Sequence, residues 1–93
     1  MKLIVDMANG DQFEVLSATT DYVAYDDTAK RQRPQWGGMT ENVARWEAFI
    51  AWHALKRVGK YSGSWDSFLD EAVNVDGEPL ETGPTLLGAT ADS

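Results

Sequence analysis

The chain has 93 residues, no cysteine and a formal net charge of -7. So short a chain forms one domain that buries only about 60 to 65% of the surface its unfolded form exposes. Without cysteine, neither a disulfide framework nor a thiolate metal site can supplement its core. Apolar packing must therefore hold the fold. Charge is segregated along the chain, with sums of -5 over residues 1–29, +5 over residues 30–60 and -7 over residues 61–93. The one basic footprint is flanked by acidic segments, which argues against nucleic acid as a partner. Met1-Lys2 opens directly on strand-like sequence and the apolar runs are short, so neither a signal peptide nor a membrane span is expected.

Residues 3–7 and 12–16 alternate as two strands around Ala8-Asn9-Gly10-Asp11, a hairpin signal. Parity selects the register. A two-residue Asn9-Gly10 loop would place Val5 opposite Glu14 and Asp6 opposite Phe13, mixing polar and apolar side chains on each face. A three-residue loop, Ala8-Asn9-Gly10, instead pairs Val5 with Phe13 and Leu3 with Val15, and sets Gly10 at the left-handed position.

A helix follows over about 20–31, with Thr20 as its cap, Asp21 near the positive end of the dipole and Lys30 and Arg31 near the negative end. Tyr22, Tyr25 and Ala29 share a face. Pro34 and Gly37-Gly38 end it, and Trp36 sits in that loop. The next helix, about 41–58, is expected to start from Thr40 and stop at Gly59. On its wheel, Val43, Ala44, Ala48, Ile50, Ala51, Ala54, Leu55 and Val58 fill one arc interrupted only by Glu47. Trp46 and Phe49 fall beyond one edge, and Trp52 lies further round beside Arg45 and Lys56. A third helix, about 64–73, presents Trp65, Phe68, Leu69 and Ala72 inward. From Gly77 onward the composition turns to Gly, Pro, Thr, Ala and acidic residues, which predicts a flexible acidic tail over 77–93 behind a single domain over 1–76. The fold class expected is α+β: a small N-terminal β-hairpin packed with three α-helices.

Chemistry has little to stand on in this sequence. His53 is the only histidine and reads as a hydrogen-bonded structural residue at the margin of a packed helix, because a general base needs positioned partners. Asp26-Asp27 and Asp70-Glu71 are sequence neighbours that point about 100° apart on a helix, so they read as solvated faces. No phosphate-cradling glycine loop, nucleophile elbow or zinc-protease spacing occurs. The expectation is a protein that is not an enzyme and uses no cofactor or metal. Its four tryptophans, three tyrosines and three phenylalanines are in large part core-forming, but Trp36 in a loop and Trp52 among cations are candidates for partner contact.

The order of elements, with Trp46-Glu47-Ala48-Phe49-Ile50-Ala51-Trp52-His53-Ala54-Leu55-Lys56-Arg57-Val58-Gly59 followed by Trp65-Asp66-Ser67-Phe68-Leu69-Asp70-Glu71, resembles the tail assembly chaperones of long-tailed bacteriophages, particularly those infecting actinobacteria. The resemblance covers about residues 1–76. It implies a non-virion protein of the infected host's cytoplasm that binds the tape measure protein, keeps it soluble and helps recruit tail tube protein, with many such chaperones made in a second, frameshifted form. Self-association is compatible with it; membrane and nucleic acid are not among the expected partners. The candidate partner-binding residues are Trp36, Arg45, Phe49, Trp52, Lys56 and Trp65, with Trp52 the expected anchor. Two other classes compete: an acidic inhibitor of a host defence or DNA-binding protein, for which the feature is the 61–93 segment without a basic residue, and a small head-tail completion protein of the virion.

Overall fold

A computed structural model describes residues 1–78 and gives an α+β fold in the order β1 (Lys2–Met7), β2 (Gln12–Leu16), α1 (Thr19–Arg31), α2 (Val43–Arg57), α3 (Trp65–Glu71) and β3 (Ala72–Glu78). The three strands form an antiparallel sheet in the order β2-β1-β3. Leu3 pairs with Val15 and Val5 with Phe13, the register that side-chain parity selects. The hairpin closes through Gly10 at φ 94, where a left-handed residue is needed. Leu3, Val5, Met7 and Val15 are all buried on one face of the sheet.

The third strand differs from the expectation that the chain loses structure at Gly77: Gly77 and Glu78 pair with Leu3 and Lys2. Asn74, Asp76 and Gly77 are weak strand formers, so local propensity gives little sign of it. The pairing partner β1 supplies what propensity lacks. A bulge lies at its start, where Met7 pairs with Ala72 but Asp6 with Asn74, leaving Val73 as the extra residue and 69% exposed. The remainder of the expected tail lies outside the described residues.

Helix α1 begins one residue before the expected cap, and its N-terminus is closed by Asp21, whose Oδ2 accepts from the Ala18 N–H at 2.8 Å. Helix α2 begins at Val43 rather than Glu41, because residues 38–42 form a turn in which Glu41 Oε1 accepts the Gly38 N–H at 2.6 Å. It ends as the sequence indicates: Gly59 takes φ 80, its N–H donates to Lys56 O, and the Lys60 N–H donates to Leu55 O at 2.9 Å. Ser64 caps α3, its Oγ accepting the Ser67 N–H at 3.1 Å.

The core is built on α2, with Phe49, Ile50, Ala51, Ala54 and Leu55 buried against the sheet, Tyr25 and Ala29 of α1, and Phe68 of α3. Two parts of the expected arc are displaced. Val43 and Val58, at its ends, are 55% and 47% exposed, whereas Phe49, expected beyond its edge, is 3% exposed. The buried sector is rotated toward Phe49 because α1, the 32–42 loop and α3 all deliver aromatic rings to that side. Leu69, expected inward, is half exposed, since α3 is too short to be covered on more than the Phe68 side. Glu47, the polar break in the arc, lies under Gly77 of β3, and burial followed by the charge of Asp76 pushes its carboxyl above the usual value.

Candidate functional site

Helix α1 turns two stripes to its surroundings. Tyr25 and Ala29 enter the core, while the small side chains of Ala24 and Thr28 face the aromatic side of α2. Small residues opposite large rings leave space, here a groove of about 580 Å³. Phe49, Trp52 and His53 of α2, Trp36 of the 32–42 loop and Trp65 at the start of α3 line it opposite α1.

The rings pack on one another as well as on the groove. Phe49 lies 5.3 Å from Trp52 and 5.5 Å from Trp65, in edge-to-face geometry, and Trp36 lies 6.1 Å from Trp65. The loop carrying Trp36 is held by the Tyr25 hydroxyl, which donates to Gly37 O at 2.6 Å. Position 37 must be glycine for this approach, because a Cβ there would stand 2.8 Å from Glu41 Cβ. Two cations lie over rings of the cluster, Arg45 at 5.0 Å from the Trp36 centroid and Lys56 at 5.1 Å from that of Trp52.

Four of the six sequence candidates, Trp36, Phe49, Trp52 and Trp65, thus gather in one aromatic cluster, and Arg45 and Lys56 join it as cations over Trp36 and Trp52, in roles different from those expected. Phe49 is core, not a surface residue. Trp52 is not left over on the far side of the helix: it is half-buried, and its indole N–H donates to Gly63 O at 3.0 Å. Arg45 and Lys56 do not flank a single tryptophan but cover two different ones. Trp36, Trp52 and Trp65 are all half-buried, and all three line the groove.

Beneath the groove lies a group of residues that the sequence reading missed. Asp21 is fully buried, and its carboxylate accepts from His53 Nδ1 at 2.7 Å, Arg57 Nη2 at 3.0 Å and Arg57 Nε at 3.2 Å, besides the Ala18 N–H. The available signal was the spacing of His53 and Arg57, which at i and i+4 share one face of α2 and can converge on one acceptor. His53 is thus the hydrogen-bonded histidine expected, but its partner comes from α1. Burial alone would raise the Asp21 pKa; the hydrogen bonds from Arg57, His53 and Ala18, with the charge of Arg57, outweigh it and hold the carboxyl below its ordinary 3.8.

The sign for acid stability follows. A depressed folded pKa gives stabilisation that is complete above the unfolded value and lost as pH falls through the folded one. The wild-type advantage over Asp21→Asn in thermal denaturation should therefore narrow as pH drops below about 4. An advantage that persists unchanged down to about pH 2 would mean that the carboxylate charge contributes nothing to it.

Among the described residues, no group of three or more His, Cys, Asp or Glu side chains is placed to hold a metal ion, and no helix is long and apolar enough to cross a membrane. Compared with known protein families, curated proteins and solved structures, the chain matches none.

Proposed function

We propose that this domain works by binding another protein, as a phage tail assembly chaperone whose partner is the tape measure protein, with tail tube protein as a second partner recruited to the complex. The observation that supports this reading is the groove: three half-buried tryptophans and Phe49 facing the small side chains of α1, in a space large enough for one or two turns of apolar side chains. Tape measure proteins are long helices with apolar surface, and an amphipathic segment laid between α1 and the tryptophans would cover that surface. The net charge of -7 then adds repulsion between coated molecules. Tryptophan in a partly desolvated pocket is the residue type that most often carries binding energy.

Filling the groove tests this without removing any core side chain. Thr28→Trp, on the α1 wall, should weaken tape measure binding about tenfold or more, near 1.4 kcal/mol, with the fold retained. Binding would be read by co-purification from infected cells and by titration of purified tape measure fragments. Undiminished binding of Thr28→Trp would remove the groove from the interface, and failure of wild type to co-purify would remove the partner. Presence in purified virions in stoichiometric amounts would favour the head-tail completion class instead.

A further inference from the structure

The two edges of the sheet are finished differently. The Met7 N–H donates to Asp11 O and the Ser17 N–H to Met1 O, so odd-numbered residues of β1 bond toward β2 and even-numbered ones toward β3. On β2 this turns the carbonyls of Glu14 and Leu16 outward, where Lys60 Nζ donates to Glu14 O at 2.8 Å and Arg57 Nη2 to Leu16 O at 3.0 Å. Two cations thus close that edge. On β3, Asn74, Asp76 and Glu78 bond toward β1, which turns the N–H and C=O of Val75 and Gly77 outward. Among the described residues, β3 pairs with no strand on that side and no side chain is bonded to those groups.

A second feature lies beside this open edge. Between β3 and the helices runs a groove of about 260 Å³, lined by Ala44 and Ala48 of α2, Leu69 of α3 and Val75, with Glu47 and Asn74 as its polar members. It shares no lining residue with the aromatic groove. Leu69 and Val73, which also lines it, are among the most exposed large apolar side chains of the domain. A strand added to β3 would extend the sheet over this groove, so its alternate side chains would enter it and cover that apolar surface. The remaining side chains would lie on the opposite face, beside Asp76 and Glu78.

Charge on that face decides between occupants. Glu78 shares Lys2 at 3.9 Å with Glu14, and among the described residues Asp76 forms no ion pair. Pairing β3 with β3 of a second copy would bring Asp76 and Glu78 of both chains onto one face, and like charges across strands are destabilising. Lysine or arginine at those positions turns the repulsion into attraction.

We propose that the β3 edge takes up an extended segment of a partner protein as an antiparallel strand, with basic residues beside Asp76 and Glu78 alternating with β-branched or small apolar residues in the groove. Main-chain bonds to Val75 and Gly77 hold the segment, and its alternation selects it. This surface is separate from the aromatic groove and does not depend on what that groove binds.

The test adds to the full chain a blocked peptide of alternating lysine and valine, as long as the seven residues of β3. Amide hydrogen exchange, followed by NMR, reads the new bonds. At saturation the Val75 and Gly77 amides should exchange at least about tenfold more slowly, with the β2 amides unchanged. A counterpart with glutamate for lysine should bind at least about tenfold more weakly, and Asp76→Lys, at an exposed position, should bring the two peptides within about twofold. In antiparallel pairing the valines that face the groove also carry the nitrogens that face β3, so methylating those nitrogens should abolish the protection, whereas methylating the lysine backbone nitrogens should spare it. Unchanged exchange at Val75 and Gly77, binding that survives methylation at valine, or a lysine preference that survives Asp76→Lys would overturn the proposal. So would protection already present in the free chain, which would assign the edge to residues 79–93 where it is independent of concentration and to a second copy where it rises with concentration.

Discussion

Phe68→Ala should destabilise the domain by about 3 to 5 kcal/mol, the range for truncating a buried aromatic ring, which is a large part of what so small a domain has. Phe68 is fully buried although it lies on a helix of only seven residues. Its ring meets Tyr61 edge-on at 5.5 Å and stacks near Trp65 at 6.4 Å, so it joins the turn after α2 to the start of α3. The chain leaves α3 directly into β3, and what fixes α3 also fixes where the third strand begins. A cavity at Phe68 therefore loosens α3, the part of the groove lined by Trp65, and the entry to β3 together. Leu69, one residue on and half exposed, is the control, and Leu69→Ala should cost under about 1 kcal/mol. Urea denaturation of the two variants decides the matter: similar midpoints would mean that α3 packs through another side.

The contrast between Phe68 and Leu69 shows where the sequence was legible. Both were read as inward from a helical stripe, and only one is. Periodicity gives the angle of a side chain about its own helix, but which sectors are covered depends on neighbours that arrive from elsewhere in the chain. The hairpin was readable down to its register because both partners lie within a few residues and parity leaves a single arrangement that separates Leu3, Val5, Phe13 and Val15 from the polar face. The C-terminus of α2 at Gly59 and the start of α3 near Ser64 were readable because local chemistry sets them, whereas Thr40, expected to open α2, lies in the turn before its N-cap Asn42. By contrast β3, with Asn74, Asp76 and Gly77, exists because β1 offers it a hydrogen-bonding edge more than fifty residues earlier in the sequence.

The same reasoning explains the site. Composition and position single out Trp36, Trp52 and Trp65 as candidates, but do not show that they gather on Phe49. That convergence is set by the Tyr25 to Gly37 hydrogen bond, the short α3 and the rotation of α2 in its packing. The α1 wall was invisible to a search for conspicuous residues, because what makes a groove there is that Ala24 and Thr28 are small.

Asp21→Ala should cost about 2 to 4 kcal/mol, through loss of an N-terminal cap and of a buried acceptor for two donors. The carboxylate is fully buried, while the side chains of His53 and Arg57 are 31% and 33% exposed. Once their acceptor is removed, both donors retain some access to water, which keeps the expected cost below that of stranding a wholly buried charge. A double-mutant cycle of Asp21→Ala with His53→Ala should show non-additivity of about 1 kcal/mol or more, since the two share one hydrogen bond. Additive losses would mean that the contact at 2.7 Å contributes nothing of its own. The consequence reaches function, because Asp21 belongs to α1 and its two side-chain donors to α2, the elements that form opposite sides of the groove. Without that tie the spacing of Ala24 and Thr28 from Phe49 is no longer fixed, and a partner must itself supply the ordering. Asp21→Ala should therefore weaken partner binding even at temperatures where the variant remains folded, although Asp21 lies beneath the groove and not at its lining. Wild-type affinity in a folded Asp21→Ala variant would show that the walls are held by aromatic packing alone.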